Sequence, residues 1–310
     1  MPISDRKPLI NQNPLLQGYY NSLESRIGYR LVLGGTRHFG YYEKDTYWPF
    51  PINAALRAME DRLFSNLNLK AGSKVLDAGC GVGNVALRMA QSGLRIQAID
   101  VVKHHVEKAK RNIQRRGWTH AIDVRRMDYH HLDAFEEATF DGAYTMETFV
   151  HATDPEVVLA GFFRVLKPGG SMVLFEYEHS NLSAAPNGLK NTWKEINKYS
   201  AMPFYDSNDQ GTLEQLLKKT GFVDVVVQDY TTNVTPMLRL FFVLAYIPYL
   251  IVRLFGLQAY FVNIAAGVEG YRSIGYARYV AVSAKKPLVS LPSEDNTESN
   301  GLRERNRMAP

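Results

Sequence analysis

The stretch VLDAGCGVGN, from Val75 to Asn84, restricts the possible folds of this chain more than any other feature. A short β-favouring run precedes it, and residues 84–90 carry apolar side chains at helical spacing, so the stretch joins a strand to a helix. Alternate glycines occupy the turn between them, at Gly79, Gly81 and Gly83. Backbone without Cβ atoms lets a ligand lie against the main chain at the positive end of the helix. The turn therefore predicts a site for a ligand with polar or charged parts.

The glycine spacing and the neighbouring acidic residues indicate which ligand this is. Dinucleotide folds use G-x-G-x-x-G, whereas here the glycines alternate and follow Asp77 at a strand end, which favours S-adenosylmethionine. The next strand, 95–100, ends in Asp100, which can accept both ribose hydroxyls, and Asp128 follows a third strand where it can accept the adenine amino group. The predicted cofactor-binding residues are Asp77, Gly79, Gly81, Gly83, Asn84, Asp100, Val101, Asp128, Tyr129 and Met146.

Strands and helices alternate along the middle of the chain. Strands are predicted at 74–77, 95–100, 121–127, 141–147 and 171–177, with helices at 53–67, 84–92, 103–116 and 155–166. This alternation is typical of a parallel doubly wound α/β sheet. Ligands of such sheets bind beyond the carboxyl ends of the strands, where the acidic residues named above lie. Helices at 188–198 and 211–220 and strands at 223–229 and 277–284 are predicted to complete the fold.

A second block of motifs carries a family resemblance. The segments FDGAYTMETFVHAT (140–153) and FRVLKPGG (163–170) resemble the small-molecule methyltransferases of the sterol 24-C-methyltransferase, tocopherol and ubiquinone/menaquinone group. The Tyr-x-x-Glu-x-x-x-His-Ala pattern is most similar to the sterol branch. The resemblance covers about residues 67–286 and implies S-adenosylmethionine as cofactor. It also implies a Rossmann-like class I methyltransferase fold, with a doubly wound, mostly parallel sheet, an N-terminal helical lid and a C-terminal cap insertion.

Composition and the resemblance together predict an organisation along the chain. We expect a flexible arm (1–14), a helical lid and substrate segment (15–67), a cofactor-binding core (68–180), the rest of the sheet with an apolar cap insertion near 236–268 (181–286), and a disordered tail (287–310). In the resembled family the N-terminal segment covers the cofactor and lines the substrate pocket. The candidate substrate-binding residues are therefore Tyr20, Phe39, Tyr41 and Phe149, although aromatic side chains also line protein cores.

The most unusual segment is a continuous apolar and aromatic run from Leu240 to Val252, bounded by Arg239 and Arg253. Because a membrane-spanning helix needs about 20 apolar residues, the run is too short to span a bilayer. It can form a cap over an apolar substrate pocket, an interfacial segment that dips into a membrane, or a core helix, in that order of preference. A peripheral membrane contact through 240–256 is thus one expected partner.

Few residues are candidates for catalysis, because methyl transfer mainly requires alignment in a dry pocket. A hydroxyl or amine acceptor would need a general base, for which Glu147, His151 and His38 are candidates. An alkene acceptor would create a carbocation that aromatic faces can stabilise. The histidines lack H-E-x-x-H spacing and cysteine partners, so no metal site is expected.

Charge and cysteine content narrow the choice of partners. The net charge of +5 over 310 residues is modest, and the basic run 103–116 has the spacing of a solvated helix face rather than a nucleic-acid site. The single cysteine, Cys80, excludes an internal disulfide. The N-terminus has no signal-segment pattern, so we expect a cytoplasmic protein, either free or peripheral to a membrane. The oligomeric state is left open.

Three functions fit these features. The first is S-adenosylmethionine-dependent C- or O-methylation of a lipophilic small molecule, such as a terpenoid, a quinone or another natural product. The second keeps the cofactor but catalyses cyclisation or rearrangement, with no S-adenosylhomocysteine formed. The third is a non-catalytic partner in a biosynthetic complex, which the intact glycine turn and its acidic residues disfavour.

Overall fold

The computed structural model describes residues 9–11 and 13–288. Its centre is a seven-stranded sheet of order β3-β2-β1-β4-β5-β7-β6. The strands are β1 (Lys74–Ala78), β2 (Arg95–Asp100), β3 (Ile122–Arg126), β4 (Phe140–Met146), β5 (Leu166–His179), β6 (Val223–Asp229) and β7 (Ala277–Lys285). The helices are α1 (Pro14–Asn21), α2 (Leu23–Leu33), α3 (Ile52–Leu67), α4 (Asn84–Gln91), α5 (Lys103–Arg115), α6 (Pro155–Val165), α7 (Asn187–Ser200), α8 (Thr212–Thr220), α9 (Thr231–Leu254) and α10 (Val262–Arg272).

The first five strands run parallel, and β7 pairs antiparallel with both β5 and β6. Helices cover both faces of the sheet, so the strands β1, β2 and β4 are buried along nearly their whole length. Two apolar clusters fill the two faces, one containing Val75 and Tyr144 and the other containing Leu76 and Ala143. The predicted doubly wound, mostly parallel fold is confirmed.

The structure differs from the sequence prediction around residues 167–170. The segment falls between the predicted helix 155–166 and the predicted strand 171–177, but in the structure it lies within β5, which is 14 residues long. The pairing of β4 with β5 shifts register here, and Gly169 has a φ of +78°. The Gly169 N–H donates to the Lys286 carbonyl, and the Lys286 N–H donates to the Gly170 carbonyl. These two bonds to the end of the chain's last strand keep the irregular segment in the sheet.

Helices α1 and α2 lie over the carboxyl ends of the strands. The side-chain amide of Gln17 donates to the Val101 carbonyl (3.4 Å), and the Tyr19 hydroxyl donates to the Asn263 side chain on α10 (2.7 Å). Helix α1 therefore connects the end of β2 to the C-terminal part of the chain. Most of the expected arm (1–14) and of the expected tail (287–310) lies outside the described residues.

The segment between β6 and β7 forms two helices that pack along each other. Helix α9 has 24 residues and includes Pro236 and Pro248, so it extends well beyond the predicted run 240–252. By length and composition it is long and apolar enough to cross a membrane, which corrects the expectation that the run is too short. Only 17% of its most apolar 18-residue window is buried, so it is not a core helix.

Candidate active site

The glycine turn closes on the end of β4. Gly79 has a φ of +97°, and a Cβ atom at this position would lie 2.5 Å from Oγ1 of Thr148, which itself donates to the Ala78 carbonyl (2.9 Å). Gly81 has a φ of +53°, and a Cβ atom there would meet no atom within 4 Å, because the position faces the cleft above the turn. Both positions thus need glycine, the first for close packing and the second for an open main-chain surface.

Asp77 points into the same cleft with one oxygen unsatisfied. Its side chain is 3% exposed, and its Oδ2 atom has no hydrogen-bond partner. Burial raises the pKa of Asp77 to about 7, and the charge of Asp100 contributes to this rise. A buried carboxylate oxygen without a hydrogen-bond partner is unfavourable, and a cationic ligand group would satisfy it.

Asp100 organises the turn from the next strand. Its carboxylate accepts from the N–H groups of Gly81 (2.9 Å) and Val102 (2.8 Å), and Nδ1 of His105 lies 3.3 Å away. Burial opposes ionisation, but the charge and hydrogen bonds of these partners lower the pKa of Asp100 below its usual value. The carboxylate therefore stays charged and holds Gly81 in its open conformation.

The remaining predicted cofactor residues fall into two groups. Asn84 and Met146 line the cleft, and the Asn84 amide also donates to the Thr36 hydroxyl (3.0 Å). The others lie beside the cleft lining and are engaged by the protein. The Val101 carbonyl accepts from Gln17 and Arg126, the Asp128 carboxylate accepts from the backbone and ring of His130, and the buried Tyr129 hydroxyl donates to the Thr148 carbonyl.

Tyr20, predicted to contact substrate, lines the cofactor cleft instead. Its hydroxyl lies 2.7 Å from Nε2 of His151, whose Nδ1 lies 2.7 Å from the Ala201 carbonyl. Burial lowers the pKa of His151 to about 4, so the ring is neutral, donates to Ala201 and accepts from Tyr20. Nε2 therefore holds α1 and Nδ1 holds the C-terminal end of α7, and His151 does not contribute to the lining of the apolar cavity described next. The geometry gives it a positioning role rather than that of a general base.

A larger cavity, of about 380 Å³, lies between the sheet and the helices α2, α7, α9 and α10. Most of its lining is apolar or aromatic, including Phe39, Trp193, Leu238, Phe241, Leu244 and Pro248. This volume is in the range of pockets that enclose a small organic ligand. The cofactor cleft and this cavity share three lining residues, which form the junction between them: Arg37, His38 and Glu147.

Glu147 is held at the junction by an unusual backbone conformation. Its φ is +56°, a left-handed value that is uncommon for a residue with a side chain. Its carboxylate accepts from the Phe39 N–H (2.7 Å), the Tyr279 hydroxyl (2.8 Å) and the Tyr177 hydroxyl. Burial raises the pKa of Glu147, and the charge of His38 and these hydrogen bonds offset part of that rise.

His38 is also fully engaged. Its Nδ1 lies 2.9 Å from the Phe39 carbonyl, and its Nε2 lies 3.4 Å from a carboxylate oxygen of the buried Glu60. Burial lowers the pKa of His38, but the hydrogen bond and charge of Glu60 outweigh it, so the pKa is raised overall. Both nitrogens face acceptor oxygens, so His38 adds positive charge to the junction when it is protonated.

The predicted substrate residues are only partly brought together. Phe39 lines the cavity. Tyr41 does not, because its ring packs edge-on against Tyr230 and beneath the Arg62 guanidinium (4.3 Å). Phe149 is fully buried in the core and packs against Phe204, so its predicted contact with substrate is also wrong.

Residues that the sequence prediction missed complete the site. Tyr177 and Tyr279 face each other across the antiparallel pair β5 and β7, and both donate to Glu147. Glu24 lines the cavity and accepts from the Ile264 N–H (2.8 Å). Arg37, two residues after the pair Gly34 and Gly35, lies at the junction of the cleft and the cavity. The aromatic–acid alternation FEYEH (residues 175–179) gave only a weak signal, because the partner strand lies far along the chain.

Comparison with known proteins agrees with this geometry. The family model described as a methyltransferase domain matches residues 76–174. The S-adenosyl-L-methionine-dependent Diels-Alderase iccD of Talaromyces variabilis is 43% identical over 276 residues, covering 88% of this chain and 94% of the relative. The Diels-Alderase iliD of Neonectria sp. (strain DH2), also named as S-adenosyl-L-methionine-dependent, is 43% identical over 224 residues, covering 71% and 87%. The crystal structure of the [4+2]-cyclase SpnF superposes with a TM-score of 0.71 at 22% identity, covering 91% of this chain and all of SpnF, which supports the fold.

The fold and the cleft together define an enzyme of the S-adenosylmethionine-dependent class. The chain belongs to the class I S-adenosylmethionine-dependent methyltransferase family, as its resemblance predicted, and it is similar to members of that family that are named for ring closure. S-adenosylmethionine is its cofactor. The unsatisfied Asp77 oxygen and the open main chain at Gly81 fit the positively charged and polar parts of this molecule.

Proposed function

We propose that this enzyme catalyses an intramolecular [4+2] ring closure of a lipophilic polyene in the apolar cavity and retains S-adenosylmethionine unchanged. One observation carries the proposal. Among the described residues that line the cavity, the carboxylates and the imidazole already have partners within the protein: Glu24, His38 and Glu147. A site with this lining is better suited to isomerisation than to deprotonation.

Methylation of a hydroxyl or amine requires a general base within hydrogen-bond reach. Glu147 accepts three hydrogen bonds, and both nitrogens of His38 are occupied. Burial raises the pKa values of Tyr177 and Tyr279 well above their usual range, so these phenols stay protonated. A [4+2] ring closure transfers no proton, and this lining is therefore no obstacle to it.

The proposed reaction is an isomerisation. Two carbon–carbon σ bonds form between a diene and an alkene of the same molecule, two π bonds are consumed, and the remaining pair becomes the new ring alkene. The apolar walls would hold the chain folded, so that the reacting carbons approach without the entropy cost of finding each other. Arg37 and His38 would stabilise negative charge that develops on a carbonyl conjugated to the alkene.

Asp77, Gly81 and Asn84 would hold the cofactor beside this junction. S-adenosylmethionine, when bound, supplies a permanent sulfonium charge and a transferable methyl group. The proposal assigns it the first role, in keeping with the names of iccD and iliD as Diels-Alderases. The similarity to iccD extends beyond the cofactor core, because the match covers 88% of this chain.

Mass spectrometry of the product tests the proposal. The purified protein is loaded with S-adenosylmethionine and incubated with linear polyenes that carry a conjugated diene and an alkene conjugated to a carbonyl. We expect a product of unchanged mass with a new ring, formed faster than in buffer or with the Glu147→Gln variant. A product heavier by one methylene, together with S-adenosylhomocysteine, would instead establish methyl transfer.

A further inference from the structure

The outward side of α9 is an apolar stripe on the protein surface. Val243, Ile247, Leu250 and Leu254 are spaced by four, three and four residues and so share one face of the helix. They are between 46% and 79% exposed, as is Ile251 beside them, and Phe255 follows at 68%. We call these six side chains the α9 stripe. An exposed patch of this kind marks an interaction surface.

The stripe is continuous with the apolar cavity. Leu244 is 53% exposed and also lines the cavity, and it lies between Val243 on the stripe and Ala245 on the cavity wall. On the opposite wall, Gly28 and Val32 of α2 line the cavity, and the neighbouring Ile27 and Leu31 of α2 are 51% and 78% exposed. Apolar surface therefore borders the cavity on both sides.

Positive charge and aromatic side chains border the stripe. Arg239 lies one helical turn before Val243, and Arg253 precedes Leu254, and α9 contains no acidic residue. Arg239 donates to the Tyr47 carbonyl (2.6 Å) and lies over the Tyr47 ring, against which the 72%-exposed Trp48 packs edge-on. Arginines and interfacial Trp and Tyr side chains around an apolar stripe are the features by which amphipathic helices bind anionic bilayers.

The topology indicates that α9 would lie in the bilayer surface rather than cross it. It begins directly after β6, and the chain returns through α10 to β7, the strand that pairs with β6. If α9 crossed, the return segment would have to cross as well. Helix α10 has 11 residues, about 16 Å, against a hydrocarbon core of about 30 Å, and it contains the buried Glu269.

We propose that the α9 stripe docks the enzyme on the surface of an anionic phospholipid bilayer, with the cavity border against the lipid. A lipophilic substrate dissolved in the membrane would then enter the cavity without passing through water. This inference goes beyond the proposed reaction, since docking requires neither the cofactor nor ring closure.

Vesicle flotation of the full chain tests the docking. We expect the protein to float with vesicles of phosphatidylcholine and phosphatidylserine, and less with phosphatidylcholine alone. The double variant Ile247→Glu/Leu250→Glu should reduce partitioning by about tenfold or more, because it places charge where the proposal has apolar side chains contacting the lipid. The matched control is Val157→Glu/Val226→Glu, which alters valines of 48% and 50% exposure on α6 and β6 and should float like the parent.

A second, milder variant keeps the docking test valid if the double glutamate variant fails to fold. Arg253→Gln should weaken binding to the anionic vesicles by about fivefold and leave binding to neutral vesicles unchanged. Each variant is also checked for its melting temperature and for S-adenosylmethionine binding by calorimetry. The proposal is overturned if the parent floats with neither vesicle, if the double glutamate variant floats as well as the parent, or if the stripe instead forms a dimer that this variant dissociates. Flotation without ring closure would contradict only the proposed reaction.

Discussion

Glu147 lies between two regions that are built differently. The cofactor cleft is formed largely by main chain, and the apolar cavity is formed by side chains. On the cofactor side, glycines with positive φ and Asp77 of β1 form the surface, and Asp100 at the end of β2 holds Gly81 in place. On the other side, helices from both ends of the chain enclose about 380 Å³ with mainly apolar side chains. A Cβ atom at Gly79 in the cleft would clash with Thr148, whereas substitutions in the cavity lining would change the shape of the cavity. This difference explains how one cofactor-binding frame serves different reactions.

The largest effect is expected at Gly79 on the cleft side. Gly79→Ala should lower affinity for S-adenosylmethionine by about 100-fold, because the new Cβ would lie 2.5 Å from Thr148 Oγ1 on backbone with a φ of +97°. Gly72→Ala is the control, since Gly72 has a φ of +85° but no atom within 4 Å of a Cβ. Calorimetric titration measures both. Equal affinities for the two variants would refute the close-packing role of the turn.

Asp77→Asn should separate cofactor binding from stability. The unfolded side chain loses its proton near pH 3.8 and the folded one near pH 7, so the parent loses stability as pH rises through this window. The variant should lack this loss and be more stable by roughly 1 to 3 kcal/mol at pH 8, yet bind S-adenosylmethionine about 30-fold more weakly. Urea unfolding and calorimetry measure the two effects. A variant that is both less stable and unaltered in binding would contradict the assignment.

On the cavity side, Tyr177→Phe should slow ring closure by about tenfold and leave cofactor affinity unchanged, because it removes one hydrogen bond from the Glu147 cluster. Tyr41→Phe is the matched control, because the Tyr41 ring packs outside the cavity. Its rate should stay within about twofold of the parent. Initial rates of product formation measure both. An equal loss of rate in the two variants would mean that the cavity extends to Tyr41.

The smallest effect is expected where the lid meets the core. His151 stays neutral down to about pH 4, whereas an unfolded histidine protonates near pH 6.5. Stability present above pH 6.5 is therefore lost on acidification, by about 1 kcal/mol at pH 5.5. Because acidification also stabilises the fold through Asp77, the contribution of His151 is measured as a difference between variants. Between pH 7.5 and pH 5.5, the change in the free energy of urea unfolding should be about 1 kcal/mol more favourable in His151→Gln than in the parent, whereas His120→Gln, an exposed control, should change as the parent does. The same pH dependence in His151→Gln and in the parent would assign the loss to other groups.

The two sides also differ in how far the sequence predicts them. The cleft depends on contacts close in sequence, so the pattern of Asp77, Gly79 and Gly81 sufficed to predict the turn, the strand and the cofactor. The cavity depends on register between distant segments. Tyr177 meets Tyr279 only because β7 inserts antiparallel beside β5, and no local pattern shows this pairing.

Two errors of the sequence prediction have the same physical origin, which is packing between segments that are distant in the chain. An aromatic residue in the lid can face the cavity or the core, and spacing alone did not separate Phe39, which lines the cavity, from Tyr41, which packs outside it. The length of α9 was underestimated because the apolar run begins at Leu240, whereas the helix begins at Thr231 and continues through both of its prolines. Packing along α10 and over the cavity stabilises a helix that local propensity does not predict.

Counting the turnovers per cofactor would test the retention of S-adenosylmethionine most directly. The enzyme is loaded with one equivalent of methyl-labelled S-adenosylmethionine, and an excess of linear polyene is added. Ring closure with a retained cofactor predicts many molecules of cyclised isomer per enzyme, no label in the product and no S-adenosylhomocysteine. One labelled, methylated product per cofactor, with an equal amount of S-adenosylhomocysteine, would contradict it.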